Sequence, residues 1–203
     1  PEMIEYRDRV AKELNLDLIV HTNEEAIKNG MGPHEGRLKC CKALKTEGLQ
    51  QVVEKYSFDG LIVGVRRDEE GSRSKERVFS ERNKDYEWDY TNQPPELWDQ
   101  FKTDFPKGNH IRIHPLLQWN ELDIWEYIKR ENIPIIDLYF AKNGERYRSL
   151  GCAPCTGKIK SDADTLDKII EELKHTTTGE RAGRAQDQED AYAMQKLRKD
   201  GYM

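Results

Sequence analysis

Four cysteines and a run of arginines are the residues of this 203-residue chain best suited to chemistry. The cysteines come as two local pairs, Cys40-Cys41 and Cys152-Ala-Pro-Cys155. Thiolates ligate metals, and four of them in two pairs match a four-coordinate metal or iron–sulfur site. Adjacent cysteines bridge each other only with strain, and no secretory pattern favours structural disulfides. A Cys-x-x-Cys alone is shared by zinc ribbons and redox dithiols, and a second pair of that type would point to zinc. The contiguous Cys-Cys makes a cluster the sharper option, with ordinary buried thiols as the plain alternative. Arg146, Arg148, Lys158 and Lys160 lie near the second pair in sequence and would offset the charge of a tetrathiolate centre.

The arginines follow Gly64: Val65-Arg-Arg-Asp-Glu-Glu-Gly-Ser-Arg-Ser-Lys-Glu-Arg77. Arg66, Arg67, Arg73, Lys75 and Arg77 supply forks and point charges suited to phosphate or sulfate oxygens. The segment directly follows the apolar Leu61–Val63, and ligands of open α/β sheets bind beyond the carboxyl ends of strands. The plainer reading is a solvated face in which Asp68, Glu69, Glu70 and Glu76 neutralise the arginines. Six basic against five acidic residues between positions 66 and 82 leave both readings open.

These groups must be held by elements that the hydrophobic pattern lays out. Ile4, Val10 and Leu14 predict an amphipathic helix over residues 2–14. Leu16 to His21 reads as a buried strand and Phe58 to Val65 as a second. Between them lie a Gly/Pro-rich loop, Asn29-Gly-Met-Gly-Pro33, and helical spacing over 41–55. Ile111 to Leu116 is a third strand, stopped by Pro115. Asn120 caps a helix bearing Leu122, Ile124, Trp125 and Ile128. Ser161 is expected to cap another, with Leu166, Ile169, Ile170 and Leu173 on one face, and a polar helix is expected from Gln188 to about Lys199. Strands alternating with helices argue for a parallel α/β sheet. Trp119 and Trp125 fit helical periodicity and read as core. The five histidines (His21, His34, His110, His114 and His175) show no ligand spacing.

Charge narrows the function classes. A net charge of −5 disfavours a general nucleic-acid binder. No apolar run approaches the ~20 residues that span a bilayer. Within this acidic chain, Lys142–Lys160 carries five bases against Glu145 alone, which suggests a small anionic ligand. Lys84–Asp104 carries six acids against two bases, together with Trp88, Tyr90, Pro94, Pro95 and Trp98, and reads as a docking surface or a plain surface loop. The chain opens at Pro1 and runs straight into a helical pattern with no targeting signal, as the cut end of a longer protein would.

Gly64-Val-Arg-Arg with Gly71-Ser72-Arg73 resembles the substrate loop of the phosphoadenylyl-sulfate reductase superfamily. Within it, the chain is most similar to the small, catalytic subunits of bacterial sulfate adenylyltransferases. The matching stretches are Arg66 to Val78, Trp119-Asn-Glu-Leu-Asp-Ile-Trp125, Glu131-Asn-Ile-Pro-Ile135, Leu150-Gly-Cys, Ser161-Asp-Ala-Asp-Thr-Leu166, Glu180-Arg-Ala-Gly-Arg184 and the final Gly201-Tyr202. The resemblance implies a parallel-sheet, ATP-pyrophosphatase-like (adenine nucleotide alpha hydrolase-like) domain, here N-terminally truncated. The α/β nucleotide- and sulfate-binding part would span 1–140, with a Cys-x-x-Cys segment and helical tail over 141–203. The family's Ser-Gly-Gly-Lys-Asp-Ser phosphate loop is absent, so the polypeptide as given is expected to hold the ATP pyrophosphate poorly. A second departure is the cysteine set: Cys40-Cys41 with Ser149-Leu-Gly-Cys-Ala-Pro-Cys-Thr156 is similar to the four-iron cluster motif of iron–sulfur adenylyl-sulfate reductases.

By that resemblance Arg66 and Arg67 would act on sulfate or phosphate oxygens, with Ser72 and Arg73 assisting. Asp68 would orient an arginine or reach Mg²⁺ bound with ATP, and Arg181 and Arg184 would join them or cap carbonyls. Cys40, Cys41, Cys152 and Cys155 would hold a 4Fe-4S cluster, or zinc. The implied reaction joins ATP and sulfate into adenylyl sulfate and pyrophosphate, in the cytoplasm, alongside a larger GTPase subunit and with no nucleic acid or membrane involved. Cluster-bearing adenylyl-sulfate or phosphoadenylyl-sulfate reduction is the first alternative, and a non-enzymatic metal-stapled module the second. Reductases of this kind attack sulfur with a cysteine near the C-terminus, and no cysteine follows Cys155 here.

Overall fold

The computed structural model describes residues 1–184 and 192–202. Helix α1 (Glu2–Glu13) forms where its apolar spacing puts it. The stretch expected as a buried strand, Leu16 to His21, is not one, and Leu16, Leu18 and Val20 are exposed. A strand exists through its ladder hydrogen bonds, and the sheet does not reach this segment. Strand β1 (Gly60–Ile62) leaves its outer edge open, with Ile62 79% exposed.

After α2 (Glu24–Lys28), capped by the Asn23 side chain, the Gly/Pro-rich loop closes into a 3-10 turn at Pro33–Glu35. Helix α3 (Arg37–Cys41) then passes through five π-helical residues, Lys42–Thr46, into α4 (Glu47–Tyr56). The helical stretch therefore starts earlier than its apolar spacing indicates, and it widens just after the cysteine pair. Such π segments recur at functional positions.

The main sheet has the order β1-β3-β2, with β2 at Phe79–Arg82 and β3 at His110–Ile113. β1 runs parallel to β3, with Gly60 opposite Ile111. β2 runs antiparallel to β3, with Ser80 opposite Arg112. The sheet is mixed, not the wholly parallel one expected. No apolar alternation announces β2, because its buried positions are Ser80 and Arg82.

Helix α5 (Glu121–Glu131) begins with the expected cap. Asn120 Oδ1 accepts from the Asp123 N–H at 3.0 Å, and the Asp123 carboxylate accepts from the Asn120 N–H at 2.8 Å. It packs against α6 (Leu166–His175) around Trp125, Ala163, Ile169, Ile170 and Leu173. Each buried Ile or Leu there contributes about 1.5–3 kcal/mol. Thr165, not Ser161, caps α6. Ser161 lies too far ahead of the first turn, and its hydroxyl bonds the Glu172 carboxylate and the Ala163 N–H instead. Strands β4 (Glu145–Arg146) and β5 (Ile159–Lys160) pair antiparallel and frame the second cysteine pair. Helix α7 (Ala193–Lys199) covers the end of the expected polar helix, whose residues 188–191 lie outside the described residues. Among the described residues no helix is long and apolar enough to cross a membrane.

Candidate active site

The arginine turn begins four residues beyond β1 and winds through two 3-10 segments, Arg67–Glu69 and Gly71–Lys75. Arg66 is buried at its entry. Its Nε donates to Asp68 Oδ1 at 3.0 Å, and its Nη2 pairs with Glu180 from the distant 178–184 turn. Glu69 accepts from the Arg66 backbone N–H at 3.0 Å and also pairs with Arg73. Ser72 is fixed by Glu70 through both backbone and hydroxyl. Asp68 Oδ2 accepts from the Glu121 N–H at 2.7 Å, which ties the turn to the start of α5. So the Asp68–Arg66 pairing is realised, and Asp68, Glu69 and Glu70 each accept a hydrogen bond within the site, with Asp68 still exposed. Arg67 differs: its Nη2 donates to the Glu76 carbonyl at 3.1 Å, and no carboxylate pairs with it among the described contacts.

Burial raises the Glu180 carboxyl above its ordinary value; Glu121 and Glu69 push the same way and Arg66 opposes. Burial also lowers the Arg73 guanidinium, against Glu69 and with the help of nearby Arg198 and Arg181. The site thus gathers Arg66, Arg73 and Arg181 from two ends of the chain. Arg181 is itself buried, with its Nη2 3.7 Å from Met194 Sδ.

Beneath the turn lies an ionic core. Glu76 is fully buried and pairs with Arg82 at 2.9 Å and with Arg198 of α7. Burial works against its charge, yet Arg82 and Arg198 bring its pKa down to about 2. Arg112 of β3 donates to the Gly201 and Tyr202 carbonyls, anchoring the C-terminal residues. Gly201 sits at φ +94°, and a Cβ there would lie 2.7 Å from the Tyr86 carbonyl, so both conformation and space call for glycine.

The two cysteine pairs meet. Cys40 and Cys41, on the last turn of α3, lie within electrostatic reach of Cys152 and Cys155, and no cysteine is in a disulfide. Burial raises the Cys40 and Cys41 thiols, and the other thiols add to it. Lys45, in the π-helical stretch, lies within electrostatic reach of Cys152 and donates to the Tyr202 hydroxyl at 3.4 Å. Although burial opposes its charge, Tyr202, Cys152 and Cys41 hold its ammonium above the ordinary value.

The cations expected beside the second pair are partly committed elsewhere. Arg146 pairs with Glu172, and Arg148 grips Glu121 with its Nε at 3.0 and 3.1 Å from the two oxygens. Arg146 and Arg148 therefore form no exposed basic patch, and Lys45 is the cation whose charge acts on the thiols of Cys40 and Cys41. Arg184 reaches into the cysteine loop: Nε to Ser149 Oγ and Nη1 to Thr156 Oγ1, both at 2.9 Å, and Nη2 to the Leu150 carbonyl. Gly151 leaves room for it, since a Cβ there would fall 1.7 Å from Arg184 Nη1.

As a donor set the centre suits a thiolate-ligated group: four free thiols, two of them buried, with an ammonium alongside. Among the described residues no three His, Cys, Asp or Glu groups close tightly enough to grip one ion. The thiols are neighbours without converging on a point. Sequence reasoning missed Glu180, Lys45 and Arg198, and named Glu76 only as one of the acids that neutralise the arginines, which it does by pairing with Arg82. Glu180 adjoins Arg181 in a quoted motif, and Lys45 stands four residues after Cys41, which is helical reach. Nothing in the sequence marks Arg198.

A family model described as the phosphoadenosine phosphosulfate reductase domain matches residues 1–158. The chain belongs to that family. Among curated relatives, the sulfate adenylyltransferase subunit 2 of Geotalea daltonii is 46% identical, over 99% of this chain and 77% of the relative. The proteins of the same name from Methylococcus capsulatus and Mesorhizobium japonicum are 45% and 43% identical, over 99% of this chain and 76% and 77% of the relatives. Family membership covers both the arginine turn and the cysteine loop, which lie within the matched residues.

Proposed function

We propose that the chain is the catalytic subunit of a sulfate adenylyltransferase, forming adenylyl sulfate and pyrophosphate from ATP and sulfate in cytoplasmic sulfate assimilation. What supports this reading over sulfur reduction is the 43–46% identity to sulfate adenylyltransferase subunit 2 proteins over 99% of the chain. Within residues 1–203 no cysteine lies outside the two pairs to serve as a nucleophile. Adenylylation needs none: a sulfate oxygen attacks the α-phosphorus in line, and pyrophosphate departs.

What the protein supplies is placement and charge. Arg67 is the guanidinium open to an oxyanion. Arg66 and Arg73 are oriented by Glu180, Asp68 and Glu69, so an incoming sulfate or phosphate exchanges with carboxylates already in position. Ser72 lends a hydroxyl, and Arg181 adds positive potential from the facing turn. Mg²⁺ would arrive with ATP. The mixed anhydride is a high-energy product, and this reading includes a larger GTPase subunit that drives its formation.

Cys40, Cys41, Cys152 and Cys155 would hold a four-iron cluster. A contiguous Cys-Cys paired with a Cys-x-x-Cys favours a cluster over a single zinc. Bound there, it would join α3 to the 152–155 turn and place a compact charge beside Lys45. Arg184 fixes the loop around Cys152 through Ser149, Leu150 and Thr156.

The test is pyrophosphate release by the full-length gene product with ATP, Mg²⁺, sulfate and its companion subunit. Release that depends on sulfate and falls at least a hundredfold in Arg67→Ala supports the reading. Sulfite formed from adenylyl sulfate and a thiol donor would replace it with reduction.

A further inference from the structure

We propose that the turn at residues 97–101, with Trp98 at its tip, is the surface on which a basic face of the companion subunit docks. The proposal rests on the reading above, in which this chain is one subunit of an enzyme, as its relatives are named. Leu97, Trp98 and Phe101 are 52%, 86% and 40% exposed, three large apolar side chains within five residues. Single exposed apolar residues are ordinary, whereas a cluster around a bare indole is the composition of an interface anchor.

The backbone is bent to present it. Trp98 and Asp99 have φ of +50° and +57°, and the Gln100 N–H donates to the Leu97 carbonyl at 3.0 Å. Consecutive left-handed residues in a tight turn are ordinarily Asn or Gly, and a tryptophan there is a conformational outlier. Its base is fixed. Glu96 accepts from the Val78 and Phe79 N–H groups at 2.6 and 2.9 Å, Arg77 Nε donates to the Pro94 carbonyl at 2.8 Å, and Phe101 meets Phe79 edge-on at 5.4 Å. A strained tip on a pinned base offers a partner a rigid anchor with little ordering left to do.

Charge selects the occupant. Lys84–Asp104 carries six acids against two bases. Behind the turn a cleft of about 540 Å³ is lined by Glu81, Glu87, Asp89 and Glu96 alongside Arg77, Lys102 and Lys199. Its rings already hold this chain's own cations, Lys75 over Tyr90, Lys102 over Phe105 and Arg82 over Trp88, so the excess of acids along the segment is what favours a basic partner. Nucleic acid and anionic lipid are repelled. A second copy would set the same acids against themselves across a two-fold contact. The surface that fits is a basic one on a different polypeptide.

The experiment measures binding of the full-length protein to subunit 1 of the same organism by biolayer interferometry, for wild type, Trp98→Ala and Asp104→Lys. Thermal melts show that both variants keep the wild-type fold, and hydrogen exchange is followed across residues 94–104. The expected result is at least a tenfold weaker Kd for Trp98→Ala. Asp104→Lys should bind more weakly with a flatter salt dependence, and the wild type should gain exchange protection at 97–101 in the complex. Wild-type affinity in both variants, with 97–101 unprotected, overturns this surface and leaves the subunit reading standing. A wild type that binds no subunit 1 overturns both. Self-association lost in Trp98→Ala would overturn it in favour of a second copy.

Discussion

The arginine turn and the cysteine centre are built the same way, each from segments more than a hundred residues apart, and they differ in how their side chains are paired. Arg66 meets Glu180, and Glu76 meets Arg198, across such separations, and each charge finds an opposite charge within the chain. The thiols of Cys40 and Cys41 meet those of Cys152 and Cys155 and find one ammonium, Lys45. Guanidinium–carboxylate pairs satisfy one another through two-point hydrogen bonding. Thiols do not, and burial only disfavours their ionised form. One region pairs most of its carboxylates with guanidiniums within the chain, and the other leaves its four thiols free.

The largest expected effect breaks the region of paired charges. Glu76→Gln strips the buried counter-charge from Arg82 and Arg198 and should destabilise the fold by about 3–5 kcal/mol in urea unfolding. By contrast Cys152→Ser, at an exposed position, should change metal-free stability by no more than about 0.5 kcal/mol. Equal losses from the two variants would erase the distinction between the regions.

Next comes Gly151→Ala. The added methyl displaces the Arg184 guanidinium from Ser149, Leu150 and Thr156, at a cost of about 1–3 kcal/mol. Retention of bound iron on dilution should fall with it. Iron retention equal to wild type would show that Arg184 does not hold the cysteine loop.

The pH dependence sharpens the comparison more gently. His110 and His114 are brought down from 6.5 to about 4, mainly by burial, with Arg112 acting further on His110 and Arg82 on both. A depressed folded-state pKa means that the unfolded chain binds more protons, so stability present above 6.5 is lost as pH falls toward 4. Glu76, at about 2, adds a further loss below 4.5. Glu180, raised by burial, works in the opposite direction. Melting temperature should therefore decline from pH 7 to pH 4, and His114→Gln should flatten the upper part of that decline. A rising melting temperature over this range would contradict the buried neutral histidines.

How much of this could be read from the sequence divides along the same line. Helices α1, α5 and α6 and the Asn120 cap follow from apolar spacing and one hydrogen-bonding side chain, both local. The cysteine pairs and the Arg66–Arg73 turn stand out by residue type. What local pattern could not supply is pairing at a distance. β2 hides because it buries Ser80 and Arg82, which look like surface residues until Glu76 and Arg198 are placed beside them. Arg146 and Arg148 read as a basic patch for the same reason, their partners Glu172 and Glu121 being 26 and 27 residues away. Leu16 to Val20 has strand composition and no strand beside it. The expectation of a buried strand there is not met, because composition alone does not supply a pairing partner.

Iron and acid-labile sulfide, assayed on protein purified without oxygen, test the central claim most directly. The account predicts both in four-iron proportion, with the iron lost in each of Cys40→Ser, Cys41→Ser, Cys152→Ser and Cys155→Ser. A single zinc without sulfide, or four thiols that titrate freely in metal-replete protein, would contradict it.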